Sequence, residues 1–156
     1  MDVIELKELF LKHHLSLGSV ESFTGGLFAS SITSISGASN FFKGALITYA
    51  TEEKQRLLGI DKEDIEEFGV VSKEIAYQMA KYGKQTLNVD ICVAFTGNAG
   101  PTAMEGKPVG EVFIAVAYKN TVEVFPYLLN GGRNEIQAEG VKKSLTLLKE
   151  IISENF

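Results

Sequence analysis

The segment Asp90 to Thr96, DICVAFT, is apolar at nearly every position, the pattern of a strand covered on both of its faces rather than on one. Such a strand needs helices above and below it, which points to layers of helix, sheet and helix. The rest of the chain supplies them. With 156 residues, 45% hydrophobic and 22% charged, it has the profile of one ordinary globular domain with enough length for a real core. No low-complexity linker, charge block or internal period divides it, so residues 1–156 are read as a single domain.

Ile4, Leu6, Leu9, Phe10 and Leu15 recur at helical spacing and predict an amphipathic first helix. Leu17 to Glu21 reads as a strand running into Ser22-Phe23-Thr24-Gly25-Gly26, followed by a helix through Leu27, Phe28, Ile32 and Ile35 that stops near Gly37. Gly44 to Ala50 is a second strand. Thr51 is the expected N-cap of a short helix closed by Gly59. Ser72 caps a longer helix carrying Ile75, Met79, Tyr82 and Leu87, which leads to the Asp90–Thr96 strand. Beyond a glycine- and proline-punctuated loop, Gly97 to Pro108, the runs Val109–Tyr118 and Val122–Leu129 are joined by three residues and predict an antiparallel pair. A last helix is expected over Asn134–Ile152. The expected fold is a three-layer α/β/α domain with a mixed, mostly parallel sheet.

Composition narrows the function. A net charge of -5 without a basic stripe argues against nucleic-acid binding. The longest clean apolar run, Val112 to Tyr118, is far short of the roughly 20 residues that span a bilayer, and the N-terminus mixes charge with its apolar residues. Neither a membrane anchor nor an export signal is expected. The single cysteine, Cys92, allows no internal disulfide and no multi-cysteine zinc site, and inside an apolar strand it reads as an inert core residue. The expected compartment is a reducing cytoplasm. His13 and His14 are adjacent and diverge by about 100° on a helix, so neither a His-based triad nor a metal site is expected.

Four glycine-containing junctions could carry chemistry. At Glu21–Gly26 the glycines let a backbone approach a ligand closely, and the N–H groups of the following helix start would attract an anion or a developing oxyanion. Ser22 and Thr24 are candidate nucleophiles there, although both residue types also serve simply as helix caps. Tyr49 ends the second strand and Lys54 lies on the next helix. A desolvated Lys54 could act as general base for a serine, whereas a solvated one would be an ordinary surface lysine. The loop Thr96-Gly97-Asn98-Ala99-Gly100-Pro101, closed by Lys107-Pro108-Val109-Gly110, follows a buried strand, where open α/β sheets bind ligands. Finally, Arg133 after Gly131-Gly132 is either a phosphate fork at a helix start or a surface arginine.

In this order and spacing, these junctions resemble the CinA C-terminal domain family, the PncC-like nicotinamide-mononucleotide (NMN) amidohydrolases or deamidases. The resemblance spans roughly residues 1–152. It is carried by ESFTGGL at 21–27, SGAS at 36–39, the stretch from Phe42 to Tyr49, Lys54 with Leu58-Gly59, GVVS at 69–72, TGNAGP at 96–101, KPVG at 107–110, and Arg133. It implies hydrolysis of the NMN carboxamide to nicotinic acid mononucleotide and ammonia, in pyridine-nucleotide salvage, with no metal or other cofactor. In that reading Ser22 is the nucleophile, Lys54 moves its proton and Tyr49 assists. The resemblance places backbone N–H groups of Thr24, Gly25 and Gly26, or of Gly97 to Gly100, around the oxyanion, with Thr96 in the binding loop and Lys107 and Arg133 on the 5′-phosphate. It also implies a homo-oligomer.

The chain departs from the family pattern close to these residues. Phe23 replaces the usual cysteine beside Ser22, adding bulk that could reshape the pocket; Ala50 and Thr51 replace two polar residues; Asn98 replaces an apolar one; and Gly132 replaces an acid before Arg133. The competing expectation is therefore a CinA-like nucleotide-binding or competence-associated module with weakened catalysis.

Overall fold

A computed structural model describes residues 2–156. It contains, in chain order, α1 (Val3–Lys12), β1 (Leu17–Glu21), α2 (Leu27–Thr33), a 3₁₀ turn (Ala38–Asn40), β2 (Phe42–Ile47), α3 (Thr51–Leu58), α4 (Lys62–Phe68), α5 (Lys73–Leu87), β3 (Ile91–Gly97), β4 (Glu111–Tyr118), β5 (Thr121–Leu128) and α6 (Arg133–Asn155). The five strands form one sheet in the order β2-β1-β3-β4-β5. β1 is parallel to both β2 and β3, and β4 is antiparallel to both of its neighbours, so β4 alone runs against the rest.

Side-chain alternation divides the core into two layers. From β3, Ile91, Val93 and Phe95 join Val112, Ile114 and Val116 of β4 under α1, α2 and α6. The other parity, Cys92 and Ala94 with Ala115 and Ala117, lies under α5 together with Leu58 and Ile60. These four strand residues are small, which lets that helix approach the sheet closely. Gly83 marks the limit: a Cβ there would lie 2.3 Å from Val20 Cγ2 and 2.8 Å from Cys92 Sγ. Burial pushes the Cys92 thiol well above its ordinary range, consistent with a core residue.

Local chemistry explains most element boundaries. Asp2 and Glu5 form a capping box at α1, and Ser72 Oγ accepts the Ile75 N–H at the start of α5. Gly59 ends α3 in the left-handed conformation, as expected. The start of α3 differs from expectation: the cap position is Ala50, without a side-chain hydrogen bond, and Thr51 is already helical. Among the described residues no helix is long and apolar enough to cross a membrane.

From β1 the chain crosses over α2 to β2 on one side, then returns through α3, α4 and α5 to β3 on the other. The carboxyl ends of these three parallel strands therefore open onto a switch point between β1 and β3, the place where such sheets leave room for a ligand.

Candidate active site

Ser22 leaves the carboxyl end of β1 with its own N–H donating to Phe95 O of β3 at 3.0 Å. Lys54, from the first half of α3, reaches back under the sheet end. Its Nζ donates to Thr48 O at 2.7 Å and to Ser22 Oγ at 3.0 Å, across a sequence separation of 32 residues. Lys54 is only 1% exposed, and burial pulls its ammonium down from 10.5 to about 8, with Glu105 and Glu52 opposing part of that shift. The solvated alternative for Lys54 is thereby removed. A lysine in this state holds a substantial neutral fraction near pH 8 and can accept a proton from the hydroxyl it now donates to.

The pair stands in a cleft of about 380 Å³ whose walls include Tyr49, Val70, Thr96–Pro101, Met104 and Arg133. Lys54 and Arg133 are the charged residues among those walls; no Asp or Glu contributes. In a chain of net charge -5, the charged side chains at this cleft are cationic. Arg133 Nη1 donates to Gly100 O and Nη2 to the Tyr49 hydroxyl, both at 2.6 Å. Three distant segments thus meet at one guanidinium, which keeps further N–H donors of its planar fork available. Thr96 lines the same cleft with its hydroxyl donating to Val70 O at 2.5 Å.

Other expected contributors stand elsewhere. Thr24, Gly25 and Gly26 are not among the cleft-lining residues. The start of α2 holds an internal anion in Glu21, a fully buried carboxylate. Glu21 accepts the Phe28 and Ala29 N–H groups at 2.9 and 3.0 Å, the Thr24 hydroxyl at 2.8 Å and the Ser19 hydroxyl at 3.2 Å. The helix already has its anion. Lys107 likewise does not line the cleft: its Nζ donates to Val71 O at 2.5 Å, while Glu105 accepts the N–H groups of Val70 and Val71 at 3.0 and 3.1 Å. These two side chains strap the 101–108 loop to the start of α5.

Phe23 lines the same cleft as Ser22, with much of its bulk taken up by the core. Its ring is buried, edge-on to Phe95 at 6.3 Å, and faces Gly140 of α6, where a Cβ would lie 2.8 Å from its tip. An absent side chain on α6 makes room for the bulk. Gln137 of the same helix donates to Phe23 O at 2.9 Å. Among the described residues, no three His, Cys, Asp or Glu side chains are grouped so as to hold a metal ion.

Comparisons with known proteins agree with this architecture. The family model described as the CinA C-terminal domain matches residues 3–152. A protein of Mycoplasma pneumoniae named Protein MG115 homolog is 42% identical over 150 residues, covering 96% of both chains. A competence-damage inducible protein of Caldicellulosiruptor saccharolyticus is 42% identical over 146 residues, covering 93% of this chain and 36% of the relative. The chain therefore spans only about a third of the length of several relatives it matches. Among solved structures, the competence damage-inducible protein A of Klebsiella pneumoniae superposes with a TM-score of 0.96 at 24% identity over 99% of this chain and 96% of that one, a likeness of fold. The competence/damage inducible protein CihA of Agrobacterium tumefaciens gives 0.90 at 32% identity over 96% and 92%. With the same fold and a family match over nearly its whole length, the chain belongs to the CinA C-terminal domain family.

Proposed function

We propose that this domain hydrolyses the carboxamide of NMN, releasing ammonia and nicotinic acid mononucleotide. The observation that carries the reading is the pairing of half-buried Ser22 with buried Lys54 in a cleft whose charged walls are cationic. Neutral Lys54 takes the Ser22 proton as Oγ adds to the carboxamide carbon, and the carbonyl oxygen becomes an oxyanion. Lys54 passes that proton to the amide nitrogen, the C–N bond breaks, and ammonia leaves an ester on Ser22. Water then adds with Lys54 again as base, and the collapsing intermediate returns the proton to Ser22 Oγ while releasing the carboxylate product. Arg133, held toward the cleft by Gly100 O and the Tyr49 hydroxyl, binds the 5′-phosphate.

Purified protein incubated with NMN should release ammonia and nicotinic acid mononucleotide in equal amounts. Ser22→Ala and Lys54→Ala should each abolish the release while leaving the fold intact. Binding of NMN without product, between neutral and alkaline pH, would instead identify a non-catalytic nucleotide-binding module.

A further inference from the structure

Asn98 is 2% exposed and belongs to the cleft wall that also contains Ser22 and Lys54. Its backbone is fully engaged: the N–H donates to Glu111 O at 3.0 Å, and the carbonyl accepts the Gly110 N–H at 2.7 Å. Its Oδ1 accepts the Gly100 N–H at 3.0 Å, which decides the orientation of the side-chain amide. That leaves Nδ2 as a buried donor with no partner. Leaving such a group unmet is costly, so a donor on a residue of the cleft wall suits an acceptor that arrives with the ligand.

Strand register indicates where the side chain is directed. Val20 of β1 pairs with Ala94 of β3, and both belong to the core layer beneath α5. Two residues further along each strand, Ser22 and Thr96 take the same parity, and Asn98 follows two beyond Thr96 on a segment still paired to the β4 side. Ser22 and Asn98 therefore share the sheet face on which Lys54 stands.

Of the backbone donors expected around an oxyanion, Gly25 N–H is bonded to Ser22 O, Asn98 N–H to Glu111 O and Gly100 N–H to Asn98 Oδ1.

We infer that Asn98 Nδ2 donates to the carbonyl oxygen of the substrate carboxamide and holds the oxyanion formed when Ser22 adds to the carbon. This rests on the deamidase reading above. A neutral amide in a water-poor wall suits the task, because it strengthens its bond as charge develops on the oxygen without needing to titrate. The same position makes Asn98 a determinant of the substrate class, favouring a carbonyl oxygen over an apolar substituent there.

The test compares Asn98→Asp and Asn98→Leu with the unaltered protein in NMN turnover. Asn98→Asp keeps an acceptor for the Gly100 N–H but presents no donor; Asn98→Leu removes both without adding charge. Each should lower kcat by about 100-fold with KM within a few-fold, the pattern of an interaction realised in the transition state. A merely structural Asn98 predicts that Asn98→Asp, with the loop bond kept, retains its kcat. Retained kcat in Asn98→Asp, or a rise in KM alone, would overturn the assignment while leaving the deamidase reading in place. Absence of turnover by the unaltered, folded protein would overturn both.

Discussion

Lys54 Nζ lies 3.0 Å from Ser22 Oγ and 2.7 Å from the carbonyl of Thr48, so one buried ammonium ties the end of β1 to the end of β2. A cation held in so dry a place is balanced between two demands. Its burial favours the neutral form, and the charges of Glu105 and Glu52 favour the charged one.

The first prediction concerns pH. Lys54 must be neutral to act as a base, so kcat/KM for NMN should rise with pH and level off above about 8. Stability follows the same group. Between about 8 and the ordinary lysine value of 10.5, an unfolded chain binds more protons at this position than the folded one, so the Lys54 contribution favours folding increasingly as pH rises through that window. Chemical denaturation at several pH values, with and without Lys54→Met, isolates this slope as the part that the variant lacks.

Lys54→Met should also separate activity from stability. Methionine has similar length and no charge to desolvate, so the melting temperature is expected to hold or rise, while turnover falls by about 10²–10⁴-fold with the loss of a general base. Parallel calorimetry and ammonia release check the two halves. An active variant would remove Lys54 from the mechanism.

Glu21 is expected to be structural. Replacing it with alanine strands the donors of Phe28, Ala29 and Thr24 in the interior, at roughly 1–3 kcal/mol for each one left unmet. For a domain of this size a total of about 3 kcal/mol would lower the melting temperature by roughly 10 °C. Thermal unfolding of Glu21→Ala measures it directly.

Phe23 and Gly140 should behave as a coupled pair. Gly140→Ala places a methyl group 2.8 Å from the Phe23 ring and should destabilise the domain by about 1–3 kcal/mol. Phe23→Cys empties the same space. In the double variant the clash has no partner, so its cost should be smaller than the sum of the two single effects, as a double-mutant cycle would record.

Arg133→Ala should act on binding. Loss of a charged hydrogen-bonding group to phosphate is worth about 1.5–3 kcal/mol, or roughly 10–100-fold in KM for NMN, with kcat changed far less. Arg133→Lys keeps the charge but not the fork that joins Gly100 O to Tyr49, and should recover only part of the loss. Steady-state kinetics on NMN distinguish these outcomes.

Local chemistry in the sequence was sufficient for the layered α/β architecture. The double-sided apolar pattern of Asp90–Thr96, the Ser72 cap and the Gly59 stop all appear as read, because periodicity and capping act over a few residues. Motif spacing likewise singled out Ser22, Tyr49, Lys54 and Arg133. What spacing could not decide was protonation and partnership, which depend on groups distant in sequence. Burial beneath the sheet ends, rather than any neighbour in the chain, brings Lys54 to about 8. Glu21 fills the helix start that looked ready for a ligand, and Lys107 is tied to Val71 instead of lining the cleft. Gly140, on the last helix, accommodates Phe23 beside the nucleophile. Asn98 looked like a loop substitution, and only the packed structure puts this residue in the cleft wall with its Nδ2 buried and unpaired. Sequence determines which donors and acceptors exist; the tertiary fold decides which of them are already satisfied and which remain for a ligand.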